Sequence, residues 1–324
     1  MIPVNQIFEV SAGAFRMKNK ISIVIPVYFN AGSLPSLFTR LQIIESKLDS
    51  IDMELDLIFV DDGSGDTSLE ELLRIKETRP NTKIIKLTRN FGVIYATKCA
   101  LRFATGDCFM ILAADLQDPP ELILEMVNKW RNGSKFVVCT RISREDPFMS
   151  KVYSALYYWM LKKLVISDYP EGGFDMALMD KALLPPILDS SKSVYTPLLA
   201  YWLGYKPTVI GYHRAKREHG SSRWTFRKKF KAFVDVMLGF SVTPIRIISA
   251  FGVFVAGLSF VYGSTVVINA LWGNVPVAGF ASLASLISFL LGLVIIMLGI
   301  IGEYLWRIFD EINKRPEAVI DEVY

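Results

Sequence analysis

Two long segments without a charged side chain lie near the C-terminus of this 324-residue chain, and they constrain its fold more than any other feature. The first extends from Ser249 to Trp272 and the second from Phe280 to Gly302. Each is long enough to cross the ~30 Å hydrocarbon core of a bilayer as an α-helix. We therefore predict two transmembrane helices. The alternative, a pair of helices buried in a soluble core, is less favourable because two such segments follow one another and the hydrophobic fraction reaches 52%.

Cations flank both apolar segments, and they set the expected orientation. The flanking cations are Arg246, Arg307, Lys314 and Arg315. The connecting segment 273–279 carries no charge, so the positive-inside rule places both chain termini in the cytoplasm. We therefore expect residues 244–306 to form two transmembrane helices with a short extracytoplasmic turn, and residues 307–324 to form a cytoplasmic tail.

The remaining composition argues against several classes of site. The cysteines are Cys99, Cys108 and Cys139, and the histidines are His213 and His219. Because no CxxC pair occurs, neither a disulfide framework nor a zinc site is predicted. Nucleic-acid binding is also a poor interpretation, since the net charge is only +4 and the cations lie next to the apolar segments. Residues 1–17 lack the pattern of a signal peptide and are expected to be a leader or a disordered tail.

Short β-rich runs alternate with amphipathic stretches ahead of the apolar segments. The runs are ISIVIPV, LDLIFV, KIIKL, CFMIL and KFVVCT. This alternation is typical of an α/β domain with a mainly parallel sheet, which we assign to residues 18–223. Residues 224–243 and 149–165 have apolar and basic faces at helical spacing and are expected to lie on the membrane surface. The alternative for each is a helix packed against the soluble core.

Polar residues follow four of these runs where each strand should end. They form the motifs PVYFN, DDGSGD, RNFG and AADLQDPPE. Ligands bind beyond the carboxyl ends of the strands in sheets of this kind, so polar turns after successive strands indicate a nucleotide site. Each turn alone would be ordinary turn chemistry.

The last of these motifs combines two carboxylates, an amide and two prolines. The prolines suit the first turn of a helix, which the apolar spacing predicts from Glu121 onward. If the preceding residues are extended, the side chains of Asp115 and Gln117 point the same way and can bind Mg²⁺ or Mn²⁺ together. The alternative is that Asp118 caps the helix while the other polar side chains are solvated.

Five motifs in order resemble those of family-2 glycosyltransferases with the GT-A fold: SIVIPVYFN, FVDDGSGDTS, TRNFG, AADLQDPPE and GSSRW. The chain is most similar to the polyisoprenyl-phosphate glycosyltransferases, the group of bactoprenol glucosyltransferases and dolichol-phosphate mannose synthases. That group shares a pair of C-terminal transmembrane helices. The resemblance covers almost everything after Met17. The combination of AADLQDPPE with DDGSGD is specific, whereas RNFG alone is not.

The resemblance implies roles for individual residues. Those at the nucleotide would be Pro26, Tyr28, Asp61, Asp62 and Arg89, with the two aspartates contacting uracil and ribose. Asp115 and Gln117 would hold the metal ion, and Asp175 in EGGFDMALMD would be the candidate general base near the acceptor. Asp115 and Asp175 are therefore the catalytic candidates.

The implied acceptor is a lipid monophosphate, and its chemistry limits the role of Asp175. Its second ionisation has a pKa of ~6, so the acceptor is largely deprotonated at neutral pH. We expect Asp175 to orient the acceptor, or to accept a residual proton, more than to generate the nucleophile; the alternative is a helix N-cap. Basic and polar residues expected at the lipid phosphate are Arg141, Lys151, Ser154, Arg214, Arg217 and Arg223, since the arginine fork suits phosphate oxygens.

The sequence departs from the family pattern at three positions. Many relatives have an acid where Ala113 stands and a glutamate where Ala31 stands, and often a glycine where Phe174 precedes Asp175. Loss of the first acid weakens the expected metal site and leaves room for an inactive homologue.

These observations predict a membrane-anchored enzyme of the bacterial inner membrane with its catalytic domain in the cytoplasm. It would transfer a hexose, with glucose from UDP-glucose as the leading donor, to a polyprenyl phosphate such as undecaprenyl phosphate, with inversion. Mannose or an aminopentose is an alternative sugar. A processive polysaccharide synthase or a non-catalytic nucleotide-sugar-binding membrane subunit is an alternative function. We also expect a homo-oligomer, a bilayer as partner, and no nucleic acid.

Overall fold

A computed structural model describes residues 18–142, 159–163, 169–170, 173–192, 196–213, 234, 236–241, 243–272, 279–313 and 315–324. Several predictions lie outside the described residues. They are those for the leader 1–17, for most of the two surface helices, and for Lys151, Ser154, Arg214, Arg217 and Arg223.

An eight-stranded sheet forms the centre of the soluble part, in the order β7-β5-β6-β4-β1-β2-β3-β8. The strands are β1 (Asn19–Val27), β2 (Met53–Asp61), β3 (Lys83–Leu87), β4 (Cys108–Ile111), β5 (Phe136–Arg141), β6 (Phe174–Asp180), β7 (Thr208–Tyr212) and β8 (Ile320–Val323). Strands β1 to β4 pair in parallel, as do β5 and β7. The expected α/β domain with a mainly parallel sheet is confirmed.

Helices cover both faces of this sheet, and two longer ones follow it. The helices are α1 (Leu34–Ser50), α2 (Ser68–Thr78), α3 (Val93–Leu101), α4 (Leu122–Arg131), α5 (Leu184–Leu188), α6 (Thr196–Trp202), α7 (Thr243–Leu271) and α8 (Phe280–Ile312). Helix α4 begins at Leu122 with Glu121 as its N-cap, so the two prolines of AADLQDPPE lie just before the helix and not in its first turn as expected.

The core forms because alternate side chains of the central strands enter opposite faces of the sheet. Ile23 and Ile25 of β1 belong to an apolar cluster on the face of α1, α2 and α4, whereas Val24 belongs to a cluster on the face of α3, α5 and α6. Both faces of the central sheet are therefore covered by helices and shielded from solvent. This is why β1 and β2 are continuous apolar runs and do not alternate with polar residues.

Strand β6 lies between β4 and β5 and runs antiparallel to both. The carboxyl ends of β4, β5 and β7 consequently meet the amino-terminal end of β6 at one edge of the sheet. The five β-rich runs of the sequence are confirmed as β1 to β5. Strands β6, β7 and β8 were not predicted, because they are short or interrupted by glycine or charged residues.

Helices α7 and α8 contain the two apolar segments. Each has a stretch long and apolar enough to cross a membrane, Ile245–Thr265 and Phe289–Ile312, and these stretches are not buried by the rest of the chain. At 1.5 Å per residue, the 29 residues of α7 and the 33 of α8 give lengths of about 44 and about 50 Å. Helix α8 continues past the predicted end at Gly302 to Ile312, so the predicted tail begins inside it.

The end of the chain returns to the central sheet and is not a free tail. Strand β8 pairs antiparallel with the edge strand β3. Beside it, the side chains of Lys98 on α3 and Glu317 form an ion pair at 2.7 Å and are only 2% and 10% exposed. Arg102 Nη2 donates to the second oxygen of Glu317 at 3.1 Å, and Lys98 Nζ also donates to the carbonyl of Ser190 at 2.5 Å. Helix α3 and the C-terminal segment are therefore joined through a buried carboxylate.

We predict that Glu317→Leu destabilises the folded protein by about 3–5 kcal/mol, because it leaves the Lys98 ammonium buried without its charge partner. The measurement is thermal unfolding of the full chain in detergent. Glu322→Leu is the matched control, since Glu322 forms an exposed pair with Lys86 on β3, and such pairs contribute at most about 1 kcal/mol. Equal shifts for the two variants would contradict this account.

Candidate active site

The edge where β5, β6 and β7 meet holds a cluster of charged and phenolic side chains. Arg141, at the end of β5, donates through Nε and Nη2 to both carboxylate oxygens of Asp175, at 2.5 Å each. Tyr212, at the end of β7, pairs with Arg141 in the sheet register and places its hydroxyl 2.8 Å from Asp175 Oδ2. The same hydroxyl lies 2.7 Å from Oδ1 of Asp118, which is only 5% exposed. Four residues distant in sequence thus form one network.

The network fixes the ionisation of its members. Burial, followed by the two neighbouring carboxylates, raises the pKa of Tyr212 far above its ordinary value, so the phenol is neutral and donates. Burial lowers the pKa of Arg141, but its hydrogen bonds and charge interaction with Asp175 outweigh that effect and raise it. Since a hydroxyl has a single hydrogen, Tyr212 donates to one of its two carboxylates at a time.

Asp175 also forms part of the wall of a cavity of about 200 Å³. The opposite wall comes from α3. The lining residues outside β6 are Pro26, Val93, Ile94, Thr97, Ile111, Ala113, Thr196 and Pro197. The predicted site residues Pro26 and Asp175 are therefore brought together, and Ala113 lies beside them.

Asp61 and Asp62 lie at the carboxyl end of β2, and both are buried. Asp62, 3% exposed, accepts hydrogen bonds from the backbone amides of Phe91 at 2.7 Å and Gly92 at 3.0 Å. Burial raises the pKa of both aspartates despite the amides that bind their charged forms. Asp62 thus holds the RNFG loop at the start of α3, a role that the sequence did not predict for it.

Gly63 explains why DDGSGD and RNFG pack so closely. Its φ of +67° lies in the region that favours glycine, and a Cβ at this position would lie 2.5 Å from the carbonyl carbon of Arg89. Any larger residue would push the two loops apart. Tyr28 lies beyond the end of β1, is 37% exposed, and has its ring 4.7 Å from that of Phe29.

Arg89 lies away from the Asp175 cavity. Its guanidinium carbon is 4.4 Å from the centre of the Phe91 ring, and its side chain lines a different cavity beside the C-terminal segment. Among the five residues expected at the nucleotide, Arg89 therefore differs in that its side chain lines a cavity together with the C-terminal residues 315–317 and 319.

The expected extended conformation of residues 115–117 is wrong. Leu116 has a φ of +59°, and the backbone N–H of Gln117 donates to Oδ1 of Asp115 at 3.3 Å. Asp115 and Gln117 are therefore adjacent through a tight turn and not through strand alternation. The alternative in which Asp118 caps the helix is also wrong, because the N-cap of α4 is Glu121 and Asp118 is buried against Tyr212. Among the described residues, no group of three His, Cys, Asp or Glu side chains could hold a metal ion.

Sequence reasoning missed Tyr212 and the role of Asp118. Tyr212 ends a five-residue strand containing glycine, and nothing in its local sequence indicates a site. Asp118 stands in a motif that was singled out, but its partner is 94 residues away. For Asp118 the available signal was its place in the polar motif after β4, and for Tyr212 the sequence offered none.

Comparison with known proteins identifies the class of this enzyme. Residues 22–181 match the model of glycosyl transferase family 2. An uncharacterised glycosyltransferase of Synechocystis sp. is 33% identical over 95% of this chain and 96% of its own length, and one of Bacillus subtilis is 33% identical over 94% of each. A prophage-derived bactoprenol glucosyl transferase of Shigella flexneri is 30% identical over 93% of this chain and 97% of its own length.

The chain therefore belongs to glycosyltransferase family 2 and has the GT-A fold. It is a glycosyltransferase, as the motifs predicted, and its similarity to the polyisoprenyl-phosphate group extends over most of its length.

We predict that Tyr212→Phe lowers sugar transfer at least tenfold and destabilises the protein by about 1–3 kcal/mol, because it removes the only hydroxyl between two carboxylates. Tyr201→Phe is the matched control, since the Tyr201 hydroxyl is buried without a hydrogen-bond partner in the described structure. That variant should keep full activity and an equal or higher melting temperature. Full activity of Tyr212→Phe would show that the network does not serve transfer.

Proposed function

We propose that this enzyme transfers a hexose, glucose from UDP-glucose, to a polyprenyl phosphate such as undecaprenyl phosphate at the cytoplasmic face of the membrane. The observation that carries the proposal is Asp175, which Arg141 and Tyr212 fix on the wall of a cavity at the end of the parallel strands. Relatives named bactoprenol glucosyl transferases support the lipid acceptor and the sugar. The two apolar helices support a membrane location. Because two spans return the chain to its starting side, both termini would lie on the same side of the membrane.

The proposed chemistry is one in-line displacement. An oxygen of the lipid phosphate attacks the anomeric carbon, the bond from that carbon to the UDP oxygen breaks, and UDP leaves with the electron pair. The configuration at the anomeric carbon inverts. Because the acceptor is already largely a dianion, the step needs little proton transfer.

Asp175 is better suited to positioning than to proton abstraction. Both of its oxygens accept from Arg141, and this pairing favours the charged form and fixes the plane of the carboxylate. In this proposal Arg141 contacts the incoming phosphate while Asp175 holds the guanidinium in place. The other predicted phosphate-binding residues remain predictions.

A divalent metal fits the donor set only in part. Asp115 and Gln117 offer a carboxylate and an amide oxygen within one turn, which suits Mg²⁺ or Mn²⁺ when diphosphate oxygens and water complete the coordination. The bound ion would neutralise charge on the leaving diphosphate. Ala113 supplies no third ligand, so we expect weaker metal binding than in a site with an additional acid.

The test incubates the purified chain with a panel of nucleotide sugars and polyprenyl phosphate and identifies the lipid product by mass. We expect a hexosyl product from UDP-glucose. A mannosyl or aminopentosyl product would correct the donor. Release of UDP without a lipid product would remove the proposed acceptor, and absence of any turnover would favour a nucleotide-sugar-binding subunit.

For the metal, we predict that Asp115→Asn lowers turnover at least tenfold, because an amide is a weaker ligand for a hard cation and removes a charge. Excess chelator should have the same effect on the wild type. Asp107→Asn is the control, since Asp107 pairs with Lys181 at the opposite end of the sheet. Unchanged transfer in excess chelator would overturn the metal assignment.

For Asp175, we predict that Asp175→Asn lowers single-turnover transfer by about 10² to 10⁴ and that raising the pH does not restore it. A positioning contact is lost at every pH, whereas a missing base is replaced when the acceptor becomes fully deprotonated. Asp180→Asn, at the other end of β6, is the matched control. Full recovery at high pH would contradict the positioning role, and near-wild-type rates throughout would remove Asp175 from the site.

A further inference from the structure

A second cavity, of about 420 Å³, lies where the C-terminal segment meets the catalytic sheet. It is separate from the Asp175 cavity and shares no lining residue with it. Its walls come from the RNFG loop, α3, the segment after α5, and the chain on either side of the end of α8. The lining residues are Thr88, Arg89, Phe91, Tyr95, Lys192, Asp310, Arg315, Pro316, Glu317 and Val319.

Three cations from distant parts of the sequence face this cavity. Arg89, Lys192 and Arg315 each line it, and in the described structure none of them has a carboxylate within salt-bridge distance. Lys192 Nζ donates only to the main-chain carbonyl of Asp310, at 2.7 Å, and Arg89 lies over the Phe91 ring. Like charges that converge without a counter-ion repel one another, and a bound anion relieves that repulsion.

Two carboxylates also line the cavity, but they do not neutralise these cations. Both oxygens of Glu317 are engaged by Lys98 and Arg102, which approach from α3. Asp310 is the remaining carboxylate, on the last turn of α8. Because Lys98 and Arg102 already pair with Glu317, the three cations that line the cavity share it with one further carboxylate, that of Asp310.

The walls of the cavity are held in place. Strand β8 pairs with β3, the Thr88 amide donates to the Val319 carbonyl at 3.0 Å, and the buried Lys98–Glu317 pair ties the segment to α3. The volume lies within the ~300–1,000 Å³ typical of small-ligand sites, and the rings of Phe91 and Tyr95 add apolar surface.

The cavity also lies at a defined point on the membrane helix. Asp310 is inside the apolar stretch Phe289–Ile312, and Arg315 follows its end. The cations therefore stand where α8 would leave the hydrocarbon, at the level of lipid headgroups.

We propose that this cavity binds the phosphate headgroup of an anionic phospholipid from the cytoplasmic leaflet. The inference rests on the proposed membrane location. A bound headgroup could influence the candidate active site, because Arg89 and Phe91 belong to the RNFG loop and the backbone amide of Phe91 donates to Asp62. A headgroup bound to Arg89 and Arg315 would hold that loop against the C-terminal segment. The acceptor's phosphate has the same chemistry, and the test distinguishes the two lipids.

The test uses the full chain in nanodiscs of phosphatidylcholine with increasing phosphatidylglycerol, and in a second set with phosphatidylglycerol and polyprenyl phosphate in equal amounts. Retained lipids are counted by native mass spectrometry after release. Wild type should retain phosphatidylglycerol. Arg315→Gln with Lys192→Gln should weaken retention about 25-fold, about fivefold for each cation. Arg246→Gln is the matched control, since Arg246 is exposed near the start of α7 and does not line the cavity.

A variant with the opposite sign guards against misfolding as the cause of a loss. Asp310→Asn removes the unpaired carboxylate and should strengthen retention up to about fivefold. Equal retention of phosphatidylglycerol by the wild type and the double variant would overturn the site. A loss in Arg246→Gln as large as that in the double variant would also overturn it, because it would indicate general attraction of the lipid to surface cations. Retention of polyprenyl phosphate in preference to phosphatidylglycerol would assign the cavity to the acceptor and overturn the proposed headgroup. Lipid retention does not require sugar transfer, so an inactive chain can still pass this test.

Discussion

Main-chain pairing of β6 between β4 and β5 is the constraint on which the candidate active site depends. Because β6 runs against its neighbours, its first residues lie beside the last residues of β5. Asp175 therefore meets Arg141 of the neighbouring strand β5, and the long Tyr212 side chain reaches it from β7 across β5. A parallel β6 would place Asp175 at the other end of the domain, and the same residues would form no site.

The buried charges of this protein are paired in two different ways. Asp62 is stabilised by backbone amides at the start of α3, while Glu317 is stabilised by cations on the same helix. An unpaired charge in either place would cost several kcal/mol of desolvation, so both pairings determine where α3 lies. Since α3 also lines the Asp175 cavity, this helix contacts the C-terminal segment, the RNFG loop and the candidate site.

The return of the chain end to the sheet changes how the two apolar helices are connected to the α/β domain. A free tail would leave the domain attached only through the segment before α7. With β8 paired to β3 and Glu317 buried against α3, the end of α8 is fixed close to the RNFG loop. The cation-lined cavity is formed by that same contact.

The sequence by itself determined the features that arise from local patterns. Apolar runs specified β1 to β5, uncharged length specified α7 and α8, and the motif order specified the family and a site beyond the strand ends. Only the tertiary structure decided the direction of β6, the turn at Leu116, the partnership of Asp118 with Tyr212, and the diversion of Arg89 toward the chain terminus. The physical reason is sequence separation. Lys98 and Glu317 are 219 residues apart and Tyr212 and Asp118 are 94 apart, so their contacts depend on how strands pair and helices pack, which no local pattern encodes.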